Sequence, residues 1–134
     1  MLKIKRETDY AVRCIAYLAA NKGRVVEQGE IARAMRIPRT FLAKILQKLA
    51  KAGLVTSFLG ASGGFKLSRA PARITLHDVI VATEGPVAMN LCTVNRKACA
   101  LGRTCKVHPF WVEVRAEVEK LLTRIDFEKI ATDV

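Results

Sequence analysis

From Thr8 to Asn21 apolar residues return at Ala11, Ile15 and Leu18 with polar residues between them, the spacing of a helix with one buried face. Thr8 stands where a side chain caps a helix start, and Gly23 lies just beyond the end. After Val25 and Val26, a second helical pattern with Ile31, Ala32 and Met35 stops before Arg36-Ile37-Pro38, which predicts a tight turn. A third helix opens near Pro38 and runs to about Ala52, with Gly53 ending it. At about 100° per residue, Phe41, Leu42, Ile45, Leu46 and Leu49 share one half of the cylinder, and Thr40, Lys44, Gln47, Lys48 and Lys51 share the other.

The period then changes. Leu54 to Leu59 is β-branched, aromatic or aliphatic, Gly60-Ala61-Ser62-Gly63-Gly64 tolerates positive φ, and Phe65-Lys66-Leu67 resumes an extended pattern, so a β-hairpin follows the third helix. Thr75 and Asp78 form a capping-box pair ahead of Val79, Ile80 and Val81, predicting a helix to about Glu84 with His77 on its surface. Beyond Pro109, Trp111, Val114, Val118, Leu121 and Ile125 recur at alternating steps of three and four. That is a two-helix seam, to be completed by the same helix of a second copy, with packing on the chain's own domain as the alternative, and Asp126 can cap a short last helix through Ile130. The expected fold is mostly α with a small β-hairpin wing (α+β): a winged helix-turn-helix over residues 1–84, a cysteine-containing loop over 85–108, and a dimerisation helix with a short C-terminal helix over 109–134.

Length agrees with this plan, since 134 residues hold one modest core and a long helix but not two cores. With 51% hydrophobic residues and a mean hydropathy of +0.16, the chain is globular. Charge adds a partner. Twenty-three Lys and Arg oppose 12 Asp and Glu, a net +11, and residues 1–80 hold 15 of the basic and 5 of the acidic side chains. An excess confined to the helix-turn-helix half favours a polyanion such as double-stranded DNA. Lys neutralises phosphates while Thr and Gln reach base edges, so Arg39, Thr40, Lys44, Gln47 and Lys48 are the candidate major-groove residues, and Ser62, Gly63 and Gly64 offer backbone N–H groups to phosphate. Two such heads in a homodimer suit a roughly palindromic site.

No apolar run approaches a membrane span and the amino terminus lacks a secretory pattern, so the expected location is cytoplasmic. Of four cysteines, Cys14 sits on the apolar side of the first helix and reads as a buried hydrophobe. The other three, Cys92, Cys99 and Cys105, share a segment from Gly85 to Val112 that contains Arg96, Lys97, Arg103 and Lys106 and no acidic residue. Cations favour thiolate, and gaps of six and five residues suit a loop wrapped around an object larger than one ion. An iron–sulfur cluster on three thiolates and one other ligand is the leading assignment; Cys3His zinc, cluster-free thiol redox sensing and a structural loop are the alternatives. A winged-helix protein-interaction module docking an acidic partner is the rival function. Catalysis is not expected, nor a small-molecule substrate, because no nucleophile, base and orienting group converge.

These residues together resemble the IscR/NsrR-type family of bacterial iron–sulfur transcription regulators. The resemblance spans nearly the whole chain, through TDYAVR at 8–13, FLAKILQKLAKAGLV at 41–55, GASGGFKLS at 60–68, ITLHDVI at 74–80, and Cys92, Cys99, Cys105 and His108. It implies a homodimeric DNA-binding regulator, usually a repressor, whose 2Fe-2S or 4Fe-4S cluster controls promoter affinity in response to redox state, iron or nitric oxide. The three cysteines carry over as ligands, and the fourth is either His108 or Asp9. Leu59 stands where many relatives place a wing arginine.

Overall fold

In the computed structural model, which describes residues 3–95, 97, 100–101 and 104–132, the first apolar periodicity forms helix α1 (Arg6–Ala20). Its face of Ala11, Cys14, Ile15 and Leu18 is buried, and burial pushes the Cys14 thiol up to about 12. Helices α2 (Gln28–Met35) and α3 (Arg39–Lys51) pack on this face. Between them Arg36 takes the left-handed conformation (φ 54°, ψ 50°), and the Ile37 N–H bonds to the Ala32 carbonyl at 3.0 Å. Such a conformation costs a non-glycine residue about 1–2 kcal/mol; here it drives Ile37 into the core and starts α3 straight after Pro38.

The hairpin pairs β1 (Val55–Phe58) with β2 (Gly64–Leu67) antiparallel, Val55 opposite Leu67 and Phe58 opposite Gly64. Val26 adds a rung on the far side of β2, exchanging backbone bonds of 2.9 and 2.8 Å with Phe65. A 3-10 turn at Pro71–Arg73 leads to α4 (Leu76–Glu84), whose capping box is complete: Thr75 Oγ1 accepts the Asp78 N–H at 3.1 Å and Asp78 Oδ2 accepts the Thr75 N–H at 3.0 Å. Helix α6 (His108–Arg124) crosses α4, and α7 (Phe127–Thr132) returns to α1, so that Phe127 is fully buried among residues from the other end of the chain. The mostly helical winged architecture expected from the pattern is the one observed. No helix among the described residues is long and apolar enough to cross a membrane.

Local expectations fail where a tertiary partner takes the group concerned. Thr8 does not cap α1, which starts two residues earlier after Lys5. It is buried, 2.7 Å from Thr83 Oγ1; since Thr83 donates to the Val79 carbonyl at 3.0 Å, Thr8 supplies the proton between the two hydroxyls. Phe41 leaves the core and is 46% exposed, its ring edge-on to Tyr10 at 5.9 Å. Ile125 is not on the long helix: it is extended, and its carbonyl accepts the Leu76 N–H at 2.9 Å. The capped last helix is present, with Asp126 Oδ1 accepting the Lys129 N–H at 2.9 Å, and it runs to Thr132.

One ionic joint ties α1 to α2. Glu30 accepts from the Tyr17 hydroxyl at 2.5 Å and from Arg24 Nη1 at 3.1 Å. The Arg24 and Tyr17 hydrogen bonds hold its carboxyl at about 2, well below the usual carboxylate value. A depressed carboxylate contributes stability that is fully present above its unfolded value near 4.5 and is lost as pH falls towards 2. Glu30→Gln is therefore expected to lower the urea midpoint at pH 6, with the gap from the wild type closing between about pH 4.5 and 2. Urea titrations across that range check it.

Candidate nucleic-acid interface and cysteine loop

Because Leu42, Ile45, Leu46 and Leu49 are buried, the residues on the opposite side of α3 must face water. Thr40, Lys44, Gln47 and Lys51 are all exposed there, and among the described residues neither Lys44 nor Lys51 has an ion pair. Lys51, which the sequence pattern places on this face but which is not among the candidate major-groove residues, is exposed on it with the others. Lys48 differs. It lies at the border of the two faces, and its Nζ is 2.8 Å from Glu7 Oε1 of α1, so its charge is already partly neutralised. Arg39 lies against the first turn of α2: a Cβ on Gly29 would sit 2.6 Å from its Nη2.

The wing tip shows what its glycines do. A side chain at Gly63 would meet the carbonyls of Phe58 and Gly60 at 2.5 and 2.8 Å, and one at Gly64 would meet the Val26 carbonyl at 2.3 Å. Close backbone packing thus accounts for both glycines, whatever the tip touches. Ser62 is exposed, and the Gly63 N–H is turned inward to the Gly60 carbonyl at 3.0 Å, which removes it as a donor to phosphate.

The first part of the cysteine segment folds locally. A helical turn, α5 (Leu91–Val94), carries Cys92. Asn90 Oδ1 accepts the Thr93 N–H at 3.3 Å while Thr93 Oγ1 accepts the Asn90 N–H at 3.3 Å, a reciprocal cap. The Cys92 thiol donates to the same Asn90 Oδ1 at 3.2 Å. Arg115 of α6 clamps this turn, giving Nη1 to the Thr93 carbonyl at 2.5 Å and Nε to Glu119 at 2.7 Å. Arg115 escaped sequence reasoning, since an Arg and a Glu four apart on a helix look like a solvent pair. Cys105 is half-buried, and His108, 8% exposed, opens α6. Its Nδ1 is buried without a hydrogen-bond partner among the described residues. Cys99, Arg96 and Arg103 lie outside the described residues. Among those described, no three of His, Cys, Asp and Glu gather closely enough to hold a metal ion.

Asp9, the other candidate fourth ligand, has a partner already, since Arg13 Nη2 is 3.0 Å from its Oδ2. It lines an open groove of about 1150 Å³ between the start of α1, α4, residues 86–89 and α6, with Arg6, Arg13, Met89, Val94, Val118 and Leu122. The donor sets therefore differ: a buried imidazole nitrogen with no partner among the described residues, three positions after Cys105 in sequence, against an exposed, ion-paired carboxylate. The chemistry of two half-buried thiols and an unsatisfied imidazole fits a cluster ligand set.

The comparisons with known proteins follow the same geometry. A family model described as Rrf2, iron-dependent transcriptional regulator, matches residues 4–133. A sequence of Aquifex aeolicus provisionally named an HTH-type transcriptional regulator is 37% identical over 112 residues, 82% of this chain and 78% of its own length. Among solved structures, CymR, the global cysteine regulator of B. subtilis, superposes with a TM-score of 0.78 at 27% identity, covering 100% of this chain and 99% of its own. T. potens IscR does so with a TM-score of 0.78 at 26% identity, covering 98% and 87%.

Gly64→Ala is expected to break the Val26–Phe65 rung and lower stability by about 1–3 kcal/mol, the range for overpacking, whereas Ser62→Ala leaves stability unchanged. Urea unfolding of both variants tests this.

Proposed function

Because this chain belongs to the Rrf2 family of transcriptional regulators, we propose that it is a homodimeric repressor whose affinity for promoter DNA follows the state of an iron–sulfur cluster. The family consists of DNA-binding regulators and not enzymes, so the proposal concerns the signal, the residues and the assembly. The observation that carries it is the buried His108 Nδ1, without a partner among the described residues and three residues after Cys105. A buried polar atom left unsatisfied carries a cost of about 1–3 kcal/mol, and metal ligation satisfies it. Cys92, Cys99, Cys105 and His108 are the proposed ligands. The similarity to T. potens IscR supports the same reading.

When bound, the cluster supplies a centre sensitive to oxidation, nitric oxide and iron supply. The chain's own residues supply the rest. Arg115 holds the Cys92 turn on α6, α6 packs on α4, the Thr83 and Thr8 hydroxyls join α4 to α1, and Glu7 of α1 holds Lys48 of α3. A shift in the cysteine loop thus has a continuous set of contacts leading to the DNA-facing helix. Phe110, Trp111, Val114 and Leu121 of α6 are exposed on one side of the helix, an apolar stripe suited to the same helix of a second copy. In that dimer residues 1–84 read DNA, 85–108 sense and 109–134 assemble, with Thr40, Lys44, Gln47 and Lys51 at the major groove and Arg39, Lys48 and Ser62 at its margins; Gly63 and Gly64 shape the wing. A cluster-free thiol sensor is the second reading, favoured by the Cys92 thiol's hydrogen bond to Asn90 and by the likeness to the cysteine regulator of B. subtilis.

Two experiments decide between them. Anaerobically purified protein is expected to be brown, with iron and labile sulfide that His108→Ala reduces severalfold and Asp9→Ala leaves in place; iron-free protein after reconstitution establishes the thiol reading instead. Lys44→Ala should weaken promoter binding and lower the slope of log K against log salt by about one, while Lys48→Ala, already paired with Glu7, lowers it less. Titrations at several salt concentrations measure both slopes.

A further inference from the structure

Gly29 stands in the first turn of α2 without a positive φ, where alanine would serve the helix better. What fills the place of its side chain is a pair of guanidinium groups. Arg39 Nη2 and Arg33 Nη1 lie 2.6 and 3.2 Å from the position a Cβ would take, so the two nitrogens are no farther apart than those distances end to end. One prong comes from the last turn of α2 and the other from the first residue of α3. Neither arginine has an ion pair among the described residues. The Glu30 carboxylate is taken by Tyr17 and Arg24, and Glu27 Oε1, 3.5 Å from the same point, pairs with neither prong. Two like charges held this close repel each other, and an anion between them turns the repulsion into attraction.

Geometry and charge narrow the anion. Charge-assisted bonds of about 2.7–2.9 Å let one phosphate accept from both prongs at this separation. No side chain caps the start of α2, so the N–H groups of its first turn add to the attraction. Two guanidiniums beside one carboxylate leave a single positive charge, the complement of a phosphodiester; a dianionic monoester would leave the seat negative. Placement agrees. In a helix-turn-helix the second helix enters the major groove by its N-terminal residues and the first crosses the backbone. Arg39 opens α3 just before the exposed Thr40, and Arg33 belongs to α2.

We propose that Arg33 and Arg39 jointly seat one phosphodiester of the DNA backbone over Gly29, with the Glu27 carboxylate as its built-in competitor. This deepens the reading of the chain as a DNA-binding regulator and rests on it. The probe is a duplex enriched from a random-sequence pool by the full-length wild-type chain in its DNA-binding state, and circular dichroism verifies that each variant is folded. Arg33→Ala and Arg39→Ala are each expected to lower the slope of log K against log salt by about one. Because both prongs hold the same phosphate, the double variant loses no more slope than either single one. Glu27→Gln should tighten binding severalfold. Gly29→Ala, whose methyl displaces both prongs, should weaken binding as Arg33→Ala does while raising the melting midpoint. A neutral methylphosphonate moved along the duplex should weaken wild-type binding at one position to which the double variant is indifferent. An unchanged slope in Arg33→Ala, a fall of about two in the double variant, or the absence of such a position overturns the shared seat while the regulator reading stands. Failure of the wild-type chain to enrich any duplex overturns both.

Discussion

Burial of one face of α1 is the constraint on which the other elements depend. Ala11, Cys14, Ile15 and Leu18 give that helix a continuous apolar side, and α2, α3, α4 and α7 all pack against it. Each of those helices has little core of its own, so the orientation of α3 is set by what it shares with α1. The same dependence explains why the last helix belongs with the first: Phe127 fills space that no residue near it in sequence could fill. The exposed side of α3 is thus placed by the packing of α3 on α1.

Much of this was legible in the sequence because helical periodicity reports burial directly. The four core residues of α3, the hairpin and the Thr75–Asp78 box all followed from spacing and side-chain chemistry. The misreadings share one cause. Thr8, Phe41 and Ile125 each satisfied a local rule, yet each was claimed by a group distant in sequence: the Thr83 hydroxyl, the Tyr10 ring and the Leu76 amide. Local patterns state what a residue can do; the fold decides with which partner.

The cysteine segment was legible only as a set of donors. Spacing and surrounding charge indicate thiolate chemistry, but they are silent on the Arg115 clamp, which arises where α6 meets the segment, and on the burial of the His108 nitrogen; the reciprocal Asn90–Thr93 cap is a local pair. The same holds for the exposed side of α3. Counting charges on α3 treats Lys44, Lys48 and Lys51 alike, whereas the Glu7 carboxylate sets Lys48 apart from its neighbours.

Helix α6 is fastened unequally at its two ends. Its C-terminal end passes straight into the backbone bonds between Ile125 and Leu76 and between Phe127 and Ile74, while its other end emerges from the cysteine segment with Val107 and Phe110 in solvent. Seventeen helical residues make a rod of about 25 Å. Such a rod carries His108 about 25 Å from the backbone bonds that fix its other end, so the cysteine segment keeps its place through side-chain packing and the Arg115 clamp, with the core's backbone bonds a helix length away.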